Sequence, residues 1–209
     1  SANADGSTVR GLVIKNFDNA AILIESGSSG NTIAGNHFGG IDAGGNHDAG
    51  AQDPSYLLDV RGDNNLIGGA TAADRNVLVI NGSAYSVFVS GAGAFSNRIQ
   101  GNYIGTDATG NTAIGGAGSV SLFDSGSNNL IGGNGVGQGN VIADDIYIEN
   151  AGAGSTVQGN RIGVSADGST VLNGNAFDAI YIGTSNGVQI LDNWIANAGE
   201  HGIHLGTGV

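Results

Sequence analysis

The chain has no cysteine and no methionine, and only one proline, one tryptophan and one lysine in 209 residues. Without cysteine there is no disulfide, no thiolate chemistry and no cysteine metal site. A single proline, Pro54, excludes a proline-rich linker. The lone lysine, Lys15, lies in no Gly-Lys-Ser/Thr phosphate loop. Charged residues make up 11%, too few for a disordered polyelectrolyte. Six Lys and Arg face 18 Asp and Glu, a net charge of −12. That balance repels phosphate backbones, so no nucleic-acid partner is expected. No stretch approaches the roughly 20 apolar residues of a membrane span, and no basic-then-apolar leader opens the chain. With no Met and an end at Val209 directly after an expected strand, the sequence reads as a processed or excised piece of a longer protein.

Glycine is what the chain has in excess, 40 residues, yet no Gly-x-y period runs through it, which excludes collagen. Instead the phrase Gly-Asn-x-hydrophobic recurs, whole or degenerate, around Asn16, Asn36, Asn76, Asn102, Asn140, Asn160 and Asn193. Phe38, Leu78, Ile104, Ile142, Ile162 and Ile195 stand two residues after six of these; the first copy has Asp18 there. A second strand follows each, with alternating apolar pairs from Ile22/Ile24 and Leu58/Val60 to Ile180/Ile182 and Ile203/Leu205. A buried Asn is costly unless its amide is satisfied. Seven at one repeat position are satisfied if each stacks on the next as an amide ladder.

This pattern resembles the right-handed parallel β-helix of the pectin-lyase-like proteins, over nearly the whole chain. The expected fold is therefore all-β, a single solenoid domain over 1–209 of about seven coils. At about 4.8 Å per coil it is a rod of roughly 34 Å. The Gly-Asn-x-Ile-Gly-Thr-Asp phrase around Asn102 resembles repeats of large bacterial surface proteins, which implies a secreted or cell-surface location. The longest insertion, 39–55, falls in coil two. Even coils, opening at 31, 97 and 155, carry their long loop after the ladder Asn; coils three and five carry it before, so the super-repeat is two coils. The two ends of such a rod leave strand edges open, to be capped by flanking protein or by other copies stacking end to end into a fibre.

Side chains alternate across a strand, which sets two outward columns. One is expected to read Phe17, His37, Val77, Tyr103, Val141, Arg161 and Trp194; the other Leu23, Asp59, Phe88, Ser121, Tyr147, Tyr181 and His204. The stripe Phe88, Tyr147, Tyr181 and His204, with Tyr103 and Trp194, supplies glycan-binding candidates, since sugar rings stack on aromatic faces. Val13 is expected to face inward, and Glu25 to pair with Arg61.

Catalytic candidates are few. His47, Asp48 and Asp53 lie on or beside the insertion, a loop of Gly, Ala and Asn whose mobility opposes a preorganised site. His201 and His204 lie in coil seven, too far away to join them. Asp144-Asp145 resembles the paired-acid step of polygalacturonases, but that family's Asn-Thr-Asp and Arg-Ile-Lys steps are missing, and a corner suits two adjacent Asp better. Alginate epimerases of this fold carry Asp-Pro-His; here Asp53-Pro54-Ser55 lacks the His. Asp42, Asp107 and Asp167 read as turn formers, with loop calcium as the sharper alternative. No other cofactor is expected. The leading expectation is a non-catalytic spacer or adhesive surface with weak polysaccharide contact. The alternatives are a polysaccharide lyase, glycoside hydrolase or C5-epimerase, and a fibre subunit.

Overall fold

The computed structural model describes residues 3–52, 54–83, 85–116, 118–172 and 177–207. Among the described residues there is no helix. The strands form three parallel sheets of seven, each sheet taking one short strand from every coil. The first sheet runs from Thr8–Arg10 to Gln189–Leu191, the second from Val13–Ile14 to Trp194–Ile195, and the third from Ala20–Ile24 to Ile203–Leu205. The fold is a right-handed parallel β-helix of seven coils.

One coil cannot bury its own apolar faces, so each core position becomes a column. Ile33, Ile67, Ile99, Ile131 and Val157 make the first-sheet column, all at most 2% exposed. In the third sheet the expected register holds residue by residue: Ile22, Leu58, Val87, Val120, Ile146, Ile180 and Ile203 are successive partners. The terminal coils leave core positions open, with Ile203 46% and Leu205 74% exposed at one end and Leu12 48% at the other.

The ladder runs unbroken from Asn36 through Asn76, Asn102, Asn140 and Asn160 to Asn193. Each side-chain oxygen accepts both the backbone N–H and the Nδ2 of the preceding Asn, at 2.9–3.3 Å. Asn16 does not belong to it. The position in coil one is Leu12, whose N–H donates to Asn36 Oδ1 at 3.0 Å. Asn16 lies four residues on, at φ 65°, accepting from the Gln52 N–H instead. The reason is register: Val13 pairs with His37 and Ile14 with Phe38. Val13 is therefore the outward residue of coil one, and Phe17 is an exposed corner side chain.

A second ladder stands one corner away. Asn31, Asn65, Asn97 and Asn129 are linked in the same way at 2.9–3.2 Å, and the Asn129 N–H passes to Ser155 Oγ. Each ladder sits immediately before a sheet, where the chain turns a corner and its own backbone bonds are interrupted. The glycine of the Gly-Asn phrase is required there. Gly101 has φ +66°, and a Cβ on it would lie 2.0 Å from the Gly69 carbonyl oxygen.

The two-coil super-repeat has a steric origin. In coils two, four and six the loop between second and third sheet is a small hairpin, closed by antiparallel bridges Ile41–His47, Thr106–Ala113 and Val164–Val171. These hairpins pack on one another: the Ala166 N–H donates to Gly110 O, and Gly45 lies against Ala108. Two coils give about 9.6 Å, close to the ~10 Å thickness of packed β layers, so only every second coil has room for one. The 40–51 part of the insertion forms the first of these hairpins and is well tied down. Asp48 N–H donates to Gly40 O, and Asn81 Nδ2 holds the carbonyls of Asp48 and Ala51.

Candidate functional site

The hairpins roof the outward column of the second sheet. Ile41 and Ala108 pack with Val77, Val79 and Tyr103, and Leu172 packs with Val141, Ala143 and Tyr103. The Tyr103 ring is pressed by Gly110 on one side and carries the Arg75 guanidinium 4.0 Å from its centroid on another. Trp194 is touched by Gly168 but stays 52% exposed, being in the last coil. Tyr103 is thus part of a packed layer.

The loop carboxylates stitch the hairpins. Asp107 Oδ1 accepts from the Thr109 hydroxyl at 2.8 Å and from N–H groups of Thr109, Asn111 and Thr112 at 3.2–3.4 Å. Asp167 accepts from the hydroxyls of Ser165 and Ser169 and from the Ser169 N–H, which hold its pKa down at about 2. Asp42 accepts the Asn46 N–H, and its pKa is lowered by that bond and by the Asn46 side chain. In Asp107 and Asp167 it is Oδ1 that accepts all of these bonds, each from residues of its own turn.

The insertion residues also have partners, and different ones. His47 Nε2 meets Asn81 Oδ1 at 2.9 Å, whereas Asp48 Oδ2 accepts from Lys15 Nζ at 2.6 Å. The Lys15 bond is the main cause of the lowered Asp48 pKa. Asp53 lies outside the described residues.

Among the described residues, no bridged hairpin lies over the third sheet's outer face. Its outward column reads as expected, Leu23, Asp59, Phe88, Ser121, Tyr147, Tyr181 and His204 in successive pairs. Its rings, however, stack on one another. Tyr56 and Phe88 lie 4.5 Å apart at 11°, and Tyr147 and Tyr181 4.9 Å apart at 13°. Tyr85 bridges from Phe88 to Tyr147 across coil four, whose outward residue Ser121 is fully buried. Tyr147 and Tyr181, register partners one coil apart, meet face to face, whereas Tyr56 reaches past its own register partner Tyr85 to stack on Phe88. Asp59 is buried and paired with Arg61 at 2.6 Å, so Arg61 turns to its own coil rather than forming an ion pair with Glu25.

Beside this face lies an acidic strip. Asp144 and Asp145 open the third-sheet strand of coil five. Continuing the register back from Ile146 sets Asp145 beside Ser119 and Ala179, and Asp144 beside Gly118 and Asp178. Burial raises the Asp144 carboxyl, which accepts from Ser119 Oγ at 3.3 Å. Burial, helped by the neighbouring Asp144 charge, pushes Asp145 up to about 6, and its Oδ1 is buried without a protein hydrogen bond. Asp144 also lines a cavity of about 340 Å³ between the hairpins of coils four and six.

One coil further, the carboxylate of Asp178 is gripped by two imidazoles. His201 Nδ1 lies 2.7 Å from Oδ1 and His204 Nδ1 2.7 Å from Oδ2. Burial pushes the Asp178 carboxyl up, but these bonds outweigh it and hold it below its ordinary range. Sequence reasoning passed over Asp178. The signal was available: Asp144, Asp178 and His201 each stand two residues before the first core residue of their strand, Ile146, Ile180 and Ile203. Comparison with protein-family models, with curated proteins and with solved structures finds no match, so function is read from this geometry alone.

Proposed function

We propose that the chain is a rigid, non-catalytic extracellular β-helix module, similar in architecture to the pectin-lyase-like rods, that acts as a spacer and presents its third-sheet face to neutral glycans. The observation that carries this reading is that the outward side chains are mostly engaged by neighbouring protein groups: hairpins over one column, rings on rings along the other. The half-exposed pair Tyr147 and Tyr181, stacked in register on neighbouring coils, is the part of this face offered to sugars. With a net charge of −12, uronate polymers are repelled and neutral ones are not. Affinity electrophoresis in gels containing neutral or uronate polysaccharides tests this. A neutral polymer should retard the protein, a Tyr147→Ala/Tyr181→Ala variant should escape, and Tyr103→Ala should not. No retardation, or retardation indifferent to the Tyr pair, contradicts the binding face.

A second reading is favoured by the acidic strip. Hydrolysis of a glycosidic bond needs a protonated acid beside an ionised carboxylate. Asp145, raised to about 6, and Asp178, held low, supply such a contrast in neighbouring coils. In this reading the reacting groups sit in coils five and six, away from the 39–55 insertion.

A further inference from the structure

We propose that Asp178, His201 and His204 form a binding site for a divalent ion of the zinc class, a site that goes beyond the spacer reading. The three side chains come from adjacent coils and are brought together by register alone. Tyr181 pairs with His204 across the last two third-sheet strands, and the Ala179 N–H donates to His201 O at 2.9 Å. Asp178 and His201 are therefore neighbours on a fixed backbone, and the His201 N–H further ties to Asp178 Oδ1 at 3.2 Å.

The donor set decides the ion. It offers two imidazole nitrogens and one carboxylate oxygen, and one ligand atom from each residue lies within 4.8 Å of the others. A tetrahedral ion about 2.0–2.2 Å from each needs donors roughly 3.4 Å apart, a closure that side-chain torsions supply. Both imidazoles already point Nδ1 at the carboxylate, so a cation replaces two N–H···O bonds with bonds along the same directions. Each ring then carries its proton on Nε2. The Tyr181 ring meets His204 edge-on, 5.1 Å away at 88°, which fixes its orientation. Two nitrogens favour zinc, cobalt, nickel or copper over calcium and magnesium, which want oxygen. The histidine side chains are 60% and 41% exposed, so an ion can enter and its fourth position opens to solvent. Bound there, it staples coil six to coil seven.

The test uses the untagged chain, stripped with chelator, titrated with zinc chloride by calorimetry and with cobalt chloride by visible absorption. One zinc per chain is expected, with tetrahedral cobalt bands that zinc bleaches and a raised melting temperature. His204→Gln and Asp178→Asn should each weaken zinc binding by more than about 100-fold, the upper end for losing a group that only orients a ligand. His47→Gln, five coils away, should bind as wild type, and melting of each variant without metal verifies its fold. No binding, binding that survives His204→Gln in a folded protein, or calcium competing on equal terms would each overturn the site.

Discussion

Replacing Asn102 by Leu cuts the first ladder at its middle, and the cost follows from the bonds removed. Asn102 Oδ1 accepts from the backbone N–H of Asn76 at 3.3 Å and from Asn76 Nδ2 at 2.9 Å. Its Nδ2 donates to Ile67 O, Gln100 O and Asn140 Oδ1. After the change, Gln100 O keeps the Gly69 N–H, Asn76 Nδ2 keeps Ile33 O, and Asn140 Oδ1 keeps the N–H of residue 102. What is left without its partner is the buried N–H of Asn76, and the Ile67 carbonyl and Asn76 amide are each one bond short. An orphaned buried donor costs roughly 1–3 kcal/mol and each lost bond about 1 kcal/mol, which sums to about 3–5 kcal/mol. For a chain of this size each kcal/mol moves Tm by about 2–4 °C, so a fall near 10 °C is expected. Asn193→Leu, in the half-buried last coil where water can replace the lost acceptor, should cost less than half as much. Coil one supplies the precedent, for Leu12 fills that position at the other end. Calorimetric melting of both variants is the assay. Asn102→Leu melting within about 2 °C of wild type would refute the ladder's energetic role.

Two further predictions concern pH. Asp167 is held at about 2, below its unfolded value near 3.9, so its contribution is complete above that value and disappears as pH falls through about 2. Asp167→Asn keeps an acceptor but cannot titrate, so urea midpoints of variant and wild type should converge or cross between about pH 4 and 2; a constant gap contradicts the hairpin-stitching role. Asp145 is shifted the opposite way, to about 6. Its folded state favours the protonated form, so it penalises folding increasingly as pH rises from near 4 to about 6. Asp145→Asn should gain about 1–3 kcal/mol over wild type at pH 8 and nothing at pH 3. A wild type that is the more stable protein at pH 8 contradicts a carboxyl whose burial outweighs its hydrogen bonds.

The fold was legible because the repeat position was written in one residue type. Inside the rod each position needs a donor and an acceptor on one short side chain, so the ladder from Asn36 to Asn193 survives in the sequence as a period. The third-sheet register was legible from apolar pairs at fixed alternation. Coil one misled because Asn16 is a corner residue in left-handed conformation, a role asparagine also fills, while the true ladder position holds Leu12. The second ladder was overlooked because its members, Asn65 and Asn129, stand beside a second asparagine and end in Ser155, which blurs the column. The ring stripe was read at the right positions, but its stacking depends on coil spacing, and with it the loss of free ring faces. Asp178 lies in no strand pattern and follows a long loop, so only alignment on Ile180 brings it beside His201 and His204.

The most direct test of the spacer reading is proton NMR of neutral and uronate polysaccharides incubated with the protein, with and without calcium and zinc. The account predicts no new reducing-end, unsaturated or epimerised signals, and selective broadening of a neutral polymer that the Tyr147→Ala/Tyr181→Ala variant removes. New product signals that vanish in Asp145→Asn would contradict it and make the acidic strip of coils five and six an active site.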